Sequence, residues 1–232
     1  MDVVIWIVFL LGAPALLYWL WRGNRQRRVA WRDWCNARGW HAEVDRDRNL
    51  DAPAGDLPGF PIETRRLKRD TIDLRARGVH AGRDAASWEW RLLARYGGKR
   101  GLFSSTGNIY NAVALRTGTR VPAPTLFLPR PMLLLSLTSL LEYPAIDLGS
   151  FGMAEGWQCH GADEGFARAW ARRHLPRIDR RHVPDLLMLQ LQDDWIVVWH
   201  IGETRPDRIE SALAWLSALA HDVTPPEAVA PA

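Results

Sequence analysis

The hydrophobic pattern divides the chain into an apolar N-terminal segment, a region of alternating strands, and a C-terminal region in which strands and helices mix. Residues 3–21 form an uninterrupted run without a charged side chain. At about 1.5 Å of rise per residue, a helix of this length spans roughly the hydrocarbon thickness of a bilayer. The pattern therefore predicts a transmembrane helix within residues 1–21.

Aromatic residues and then a cluster of arginines close this segment, as at a membrane–water interface. The residues predicted to lie at that interface are Tyr18, Trp19, Trp21, Arg22, Arg25, Arg27 and Arg28. The positive-inside rule places an arginine-rich flank in the cytoplasm. We therefore predict a single-pass protein of the cell membrane, with its N terminus outside and its C-terminal domain in the cytoplasm.

A cleaved signal peptide is the alternative interpretation of the same segment. Such a peptide begins with positive charge and ends in small residues at the cleavage site. Here the second residue is Asp2, and the small residues 13–15 are followed by bulky aliphatic and aromatic residues. The sequence favours the uncleaved anchor.

After the arginines, the periodicity first indicates a helix and then strands. Residues 29–38 read as a helix that stops at Gly39, with Trp31 and Trp34 on one side, either docked in the domain core or resting on the membrane surface. Further on, Trp88 and Trp90 alternate with polar neighbours, which is typical of an antiparallel strand with one buried face. Strands are predicted over residues 61–67, 71–79, 87–96 and 108–117.

The second half of the chain mixes both kinds of element. A helix begins at Asp163, whose side chain is suited to an N-cap, and Asp193 with Asp194 suits the turn of a hairpin. Strands are predicted over residues 125–128, 147–151, 157–160, 186–192 and 195–201, and further helices over residues 132–142 and 206–221. The predicted fold class is α+β: an N-terminal transmembrane helix followed by one mostly antiparallel sheet domain with packed helices.

The predicted domain organisation follows from these elements. It comprises a transmembrane anchor (1–21), a basic juxtamembrane segment (22–28), a cytoplasmic α+β domain (29–223) and a disordered tail (224–232).

Charge changes the picture only near the anchor. The chain carries a net charge of +4 at pH 7. The arginines of residues 22–28 contribute four positive charges and Asp2 one negative charge, so the rest of the chain is nearly neutral. A nearly neutral domain argues against a nucleic-acid partner. The two cysteines, Cys35 and Cys159, suggest no disulfide framework.

The order of these elements and their local sequences resemble those of a family of actinobacterial single-pass membrane-anchored proteins with no established activity. The resemblance rests on the helix that ends in residues 38–40, on the proline-flanked apolar segment 121–129, and on the segment from Asp147 to the helix that begins at Asp163. It departs from the family where residues 88–90 read Trp-Glu-Trp, since relatives often carry Phe-Asp-Tyr. The resemblance implies an architecture and an anchor, and no chemistry.

The sequence contains no pattern typical of a catalytic or metal site. Residues 148–152 lack the spacing of a nucleophile elbow, and adjacent residues such as Cys159 and His160 point to opposite faces of a strand. No cofactor and no metal are predicted. The candidate residues for an interaction or a pocket are Trp31, Trp34, Asp147, Glu155, Cys159 and His160.

These patterns are compatible with two function classes. The first is a membrane-tethered, non-enzymatic interaction module that binds a protein partner or self-associates. Thirteen tryptophans favour it, because tryptophan is enriched at contact hot spots. The alternative is a hydrolase-like enzyme at the membrane face that acts on a lipid or envelope precursor, with its site near residues 147–163.

Overall fold

The computed structural model of the protein describes residues 2–44, 71–92, 108–129, 143–148, 156–178 and 186–220. The helices in these ranges are α1 (Asp2–Ala37), α2 (Glu164–His174), which continues into a 3-10 turn (Leu175–Arg177), and α3 (Pro206–Ala220). The strands are β1 (His41–Val44), β2 (Thr71–His80), β3 (Arg83–Leu92), β4 (Asn108–Arg116), β5 (Thr125–Pro129), β6 (Ala145–Ile146), β7 (Trp157–Gly161), β8 (Leu186–Gln192) and β9 (Trp195–Ile201).

The nine strands form one sheet in the order β1-β2-β3-β4-β9-β8-β5-β7-β6. Every pair of neighbours is antiparallel. The centre of the sheet is made where β9, from the C-terminal hairpin, pairs with β4 from the first half of the chain. The prediction of a mostly antiparallel sheet is therefore confirmed.

The two faces of the sheet carry different cores. One core joins residues of all three helices to the strands, and it includes Trp31, Phe127, Trp170 and Leu213. The other core is aromatic, and in it Trp88 and Trp90 meet the ring of Trp199 edge-on at 5.6 and 6.1 Å between ring centroids. The central strands are thus buried on both faces.

This double burial corrects the expectation for β3. The sequence predicted one buried face, with Trp88 and Trp90 inside and Glu89 outside. In the structure the side chain of Glu89 is also fully buried. A polar side chain at an alternating position needs a hydrogen-bonding partner. The pattern does not show whether that partner is water or another part of the protein.

The N-terminal helix requires a larger correction. Within the described part of the chain, no helix is long and apolar enough to cross a membrane. The predicted transmembrane helix is therefore wrong, and the predicted single-pass localisation in the cell membrane, with the N terminus outside and the domain in the cytoplasm, is wrong with it.

In the structure the uncharged run is not a separate element. It is the first half of α1, which continues without a break through the arginines to Ala37. The second half of the same helix buries Trp31 and Cys35 in the domain core. Gly39, with a positive φ of 67°, stands where the sequence placed the stop.

Two local predictions of the C-terminal half are confirmed. The carboxylate of Asp163 accepts a hydrogen bond from the backbone N–H of Phe166 at 2.9 Å and caps α2. Asp193, with φ of 53°, makes the turn between β8 and β9.

Other predicted elements differ from the structure or fall outside it. Of the strand predicted over residues 147–151, residues 147–148 are not in a strand and residues 149–151 lie outside the described residues. The strand here is β6 at Ala145–Ile146, which pairs with His160 and Cys159 of β7. The strand at 61–67, the helix at 132–142 and the tail at 224–232 lie outside the described residues.

Candidate functional site

The first half of α1 exposes large apolar side chains. The exposed fraction is 58% for Leu16, 65% for Leu17, 58% for Tyr18, 70% for Trp19 and 56% for Trp21. Successive residues of an α-helix lie about 100° apart, so residues 16–19 look in four directions around the axis. All sides of the helix are therefore open at these residues, and we call residues 16–19 together with Trp21 the exposed segment.

Cations lie at the C-terminal end of the exposed segment. Arg22 and Arg25 are exposed. The guanidinium carbon of Arg25 lies 5.5 Å from the centroid of the Trp21 ring, and Tyr18 approaches Trp21 at 6.1 Å between centroids. A cation over an aromatic face is attracted by the ring quadrupole. This contact orders Arg25 beside the exposed segment.

Arg27 lies in a different environment, although it is only two residues further along the chain. Its Nη1 donates to Oε2 of Glu89 at 2.5 Å and its Nη2 to Oε1 of Glu89 at 3.2 Å, a bidentate pair. Nη2 also donates to Oδ1 of Asn24 at 2.9 Å, and Nε lies 3.3 Å from a carboxylate oxygen of Glu203. The side chain of Arg27 is 10% exposed and that of Glu89 is fully buried.

The carboxylate of Glu89 has a further partner in the connection between β9 and α3. The backbone N–H of Thr204 donates to Oε2 of Glu89 at 2.8 Å. A buried carboxylate costs several kcal/mol unless it is paired and hydrogen-bonded. Glu89 meets this condition only while α1, β3 and the 204 connection stay together, so its charge fixes the position of α1 on the sheet.

Trp31 and Trp34 both pack against the domain. Trp31 is fully buried, and Nε1 of Trp34 donates to a carboxylate oxygen of Glu210 on α3 at 2.9 Å. Arg38 lies over the Trp34 ring at 4.5 Å and is ion-paired with Glu210. These contacts join the second half of α1 to α3.

Trp40 extends this packing to the sheet. It meets Trp34 edge-on at 5.3 Å between ring centroids, and its Nε1 donates to the carbonyl oxygen of Val79 at 3.2 Å. The indole of Trp40 lies directly on Gly78, where an added Cβ would overlap Cδ1 and Cγ of the ring. This strand position therefore requires a residue without a side chain.

Within segment 147–163, the described candidates Asp147, Cys159 and His160 do not converge on one site. Cys159 is buried in the helix-covered core, and burial raises the pKa of its thiol to about 12. The ring of the next residue, His160, lies 3.2 Å from the carbonyl oxygen of Tyr143 through Nδ1. Asp147 is exposed, and its carbonyl oxygen accepts from Nε of Arg168 at 2.9 Å. Glu155 lies outside the described residues.

This arrangement gives no support to hydrolytic chemistry. The thiolate is the nucleophilic form of cysteine, and a pKa near 12 leaves almost none of it at neutral pH. In the portion of the chain that the structure describes, no three His, Cys, Asp or Glu side chains are grouped so that they could hold a metal ion.

The sequence missed the pairing of Arg27 with Glu89. Arg27 was assigned to the membrane interface as part of an arginine cluster, and Glu89 to the polar side of a strand. The only signal was a carboxylate that stands between two tryptophans of β3. A charge in that setting needs a cation from elsewhere in the chain, but nothing local identifies which one.

Comparison with known proteins shows the fold. No family model matches the chain, and no curated protein matches it. Among solved structures, the chain is similar to the crystal structure of the mycobacterial trehalose monomycolate transport factor A, TtfA. The TM-score is 0.57 at 12% sequence identity, and the match covers 86% of this chain and 94% of that chain.

At this identity the two chains share a fold, and nothing further is transferred by the likeness. The mycobacterial source of the neighbour agrees with the actinobacterial part of the resemblance seen in the sequence. The membrane-anchoring part of that resemblance is not supported.

Proposed function

We propose that the protein is a non-catalytic interaction module that binds a partner protein through the exposed segment of α1. The observation that carries this proposal is the exposure of five large apolar side chains within six residues. A contiguous apolar patch on a folded domain typically marks a site of interaction.

The composition of the segment supports a protein contact. Tryptophan, tyrosine and arginine are the residues most enriched at binding hot spots. Trp19 and Trp21 lie in the segment, and Arg25 is ordered on the Trp21 ring.

The way the segment is held also supports the proposal. The second half of α1 is fixed to the sheet by Arg27 and Glu89, and to α3 by Trp34. A contact surface on a rigidly held helix loses little conformational entropy on binding.

The shared fold supports a partner that belongs to a transport assembly. TtfA is named as a trehalose monomycolate transport factor. We propose an accessory role of the same kind here, in which the partner is a protein component of a transport assembly.

Photo-crosslinking from the exposed segment tests the proposal. A benzoylphenylalanine replaces Trp19 in the full chain, expressed in its native cells, and the matched control carries it at Arg32, an exposed position on the same helix. We expect one adduct of defined mass from position 19, confirmed by reciprocal purification of the crosslinked protein, and none from position 32.

A substitution makes the result specific. Leu17→Glu, introduced beside the crosslinker, is expected to reduce the adduct at least tenfold, whereas Arg32→Glu leaves its yield unchanged. An adduct that survives Leu17→Glu, or a chain that forms no adduct from position 19, would overturn the proposed function.

A further inference from the structure

We infer that the partner receives the exposed segment in an apolar cleft that closes around the helix, with carboxylates at its rim opposite Arg22 and Arg25. This inference rests on the proposed function and specifies the partner's shape and charge.

The shape follows from the directions of the exposed side chains. A helix that docks on a flat surface needs apolar side chains on one side only, spaced three and four residues apart. Leu16, Leu17, Tyr18 and Trp19 are consecutive and all more than half exposed. Covering one side would leave about half of this apolar surface in water, so only an enclosing cleft removes it.

The charge of the partner's cleft follows from the different environments of the neighbouring arginines. The charge of Arg27 is balanced by the buried carboxylate of Glu89, and the side chain of Arg27 is nearly inaccessible. Arg22 and Arg25 are exposed and lie within about one turn of Trp21. The positive charge available to a partner is therefore concentrated at the C-terminal end of the exposed segment.

Arg25 is also prepared for a carboxylate. Its guanidinium carbon lies over the Trp21 ring, 5.5 Å from the centroid. A guanidinium in contact with a ring can still pair with a carboxylate through its N–H groups, in the two-pronged geometry that arginine favours. A cation held in place by a ring loses less side-chain entropy when it binds than a mobile one.

The same charges argue against a second copy of this chain as the occupant. Two exposed segments packed parallel would bring Arg22 and Arg25 of both copies close to one another. Packed antiparallel, they would set these arginines against a segment without a carboxylate, since residues 16–28 contain no Asp or Glu. Like charges at an interface cost free energy and suppress the wrong partner. These arginines attract the carboxylates of an acidic rim, whereas they repel the arginines of a second copy.

The chain offers a clean way to measure enclosure, because neither native cysteine competes for a thiol reagent. Cys35 and Cys159 are buried, and burial raises the pKa of each thiol to about 12. The test variants are Leu16→Cys, Leu17→Cys, Tyr18→Cys and Trp19→Cys, each in the full chain, and the control is Arg32→Cys.

Each variant is labelled with a water-soluble maleimide in its native cells and, separately, as the purified chain at nanomolar concentration. We expect labelling in cells to be at least tenfold slower than in the purified chain at all four positions, and equal at position 32. Protection at only one or two neighbouring positions would overturn the enclosing cleft in favour of a one-sided contact.

Charge reversal tests the acidic rim. Arg22→Glu combined with Arg25→Glu is expected to abolish the protection at all four positions, whereas Arg32→Glu preserves it. Protection that survives the double reversal would overturn the rim while leaving the proposed function standing. Absence of protection at every position would overturn both.

Two reconstitutions separate the other occupants. Purified chain is mixed with phosphatidylglycerol vesicles, and purified chain alone is concentrated to the micromolar range. We expect neither to reproduce the fourfold pattern of protection. Protection by vesicles alone would assign the segment to a lipid surface, and protection on concentration would assign it to a second copy, and either result overturns the inference.

Discussion

Arg25 and Arg27 stand two residues apart in the same helix and the same basic cluster, yet they occupy opposite environments. Arg25 is exposed and lies over the Trp21 ring, whereas the side chain of Arg27 is 10% exposed and paired with a buried carboxylate of β3. Two residues along an α-helix correspond to a rotation of about 200°, so the two side chains leave the axis on nearly opposite sides. Arg25 is part of the exposed surface of α1, whereas Arg27 attaches the helix to the sheet.

The contrast extends over the two halves of the helix. The exposed segment shows large apolar side chains to solvent, and the part of the helix after Arg27 buries Trp31 and Cys35. Apolar residues after Arg27 stabilise the domain, so their substitution should lower its stability. The apolar residues of the exposed segment contribute little to the domain, and their substitution should change what it binds.

The largest expected effect comes from removing the attachment. Arg27→Ala leaves the carboxylate of Glu89 buried without its cation, and breaking a buried pair in this way costs about 3–5 kcal/mol. We expect a loss of that size in the free energy of unfolding, measured by urea denaturation. Arg25→Ala is the matched control, with an expected change of within about 0.5 kcal/mol.

A second substitution tests the cause of that loss. Glu89→Gln in the Arg27→Ala background removes the unpaired charge but keeps an oxygen to accept from the N–H of Thr204. We expect part of the lost stability to return. If Arg25→Ala and Arg27→Ala destabilise equally, the distinction between surface and attachment fails.

A smaller effect is expected where the attached half of α1 leads into the sheet. Gly78→Ala places a Cβ in the space of the Trp40 indole, where it overlaps Cδ1. Because Trp40 is buried and bonded to Val79, the strand and the ring must move apart, and overpacking of this kind costs about 1–3 kcal/mol. Thermal unfolding monitored by tryptophan fluorescence measures it.

The control for this substitution is Gly165→Ala in α2. A Cβ there meets its nearest atom, Oδ1 of Asp163, at an ordinary 3.5 Å. Alanine is the better helix former, so this variant is expected to gain about 0.5 kcal/mol. A neutral Gly78→Ala would show that Trp40 is free to rotate away and does not hold the end of α1.

The smallest effect concerns an exposed ion pair, as a contrast to Arg27 and Glu89. Glu43 accepts from Nε of Arg75 at 2.8 Å, and this bond lowers the pKa of Glu43 below its ordinary value of 4.5. A lowered pKa in the folded state means that the stabilisation is present above pH 4.5 and is lost as the pH falls through the folded value.

We therefore expect Glu43→Gln to be less stable than the native chain by under about 1 kcal/mol at pH 7, because exposed pairs contribute little. The difference should vanish in acid, where Glu43 is protonated in the native chain as well. Urea denaturation at a series of pH values measures both. A difference that stays constant with pH would assign the effect to packing.

Elements determined by local interactions were predictable from the sequence. The cap at Asp163 involves an N–H three residues away, and the β8–β9 hairpin is closed by a two-residue turn at Asp193. In each case the residue that gives the signal and the residue with which it interacts lie within one turn of helix or one hairpin. A short stretch of sequence therefore contains both residues. The sheet's antiparallel character followed in the same way from alternation and short connections.

Properties that depend on distant partners were not predictable. Arg27 and Glu89 are 62 residues apart, and Trp34 and Glu210 are 176 apart. The sequence also suggested a change of element at the arginines, where Gly23 and Asn24 disfavour a helix. The helix continues through them because Arg27 bonds both to Asn24, one turn earlier, and to the sheet.

The unbroken course of α1 has a mechanical consequence. From Leu16 to Arg27 the helix measures about 16 Å at 1.5 Å per residue, and the Arg27–Glu89 pair joins it to β3. A tilt of about 10° about this pair would displace Leu16 by about 3 Å. A small rotation of β3 would therefore produce a larger displacement of the exposed segment and of the partner bound to it.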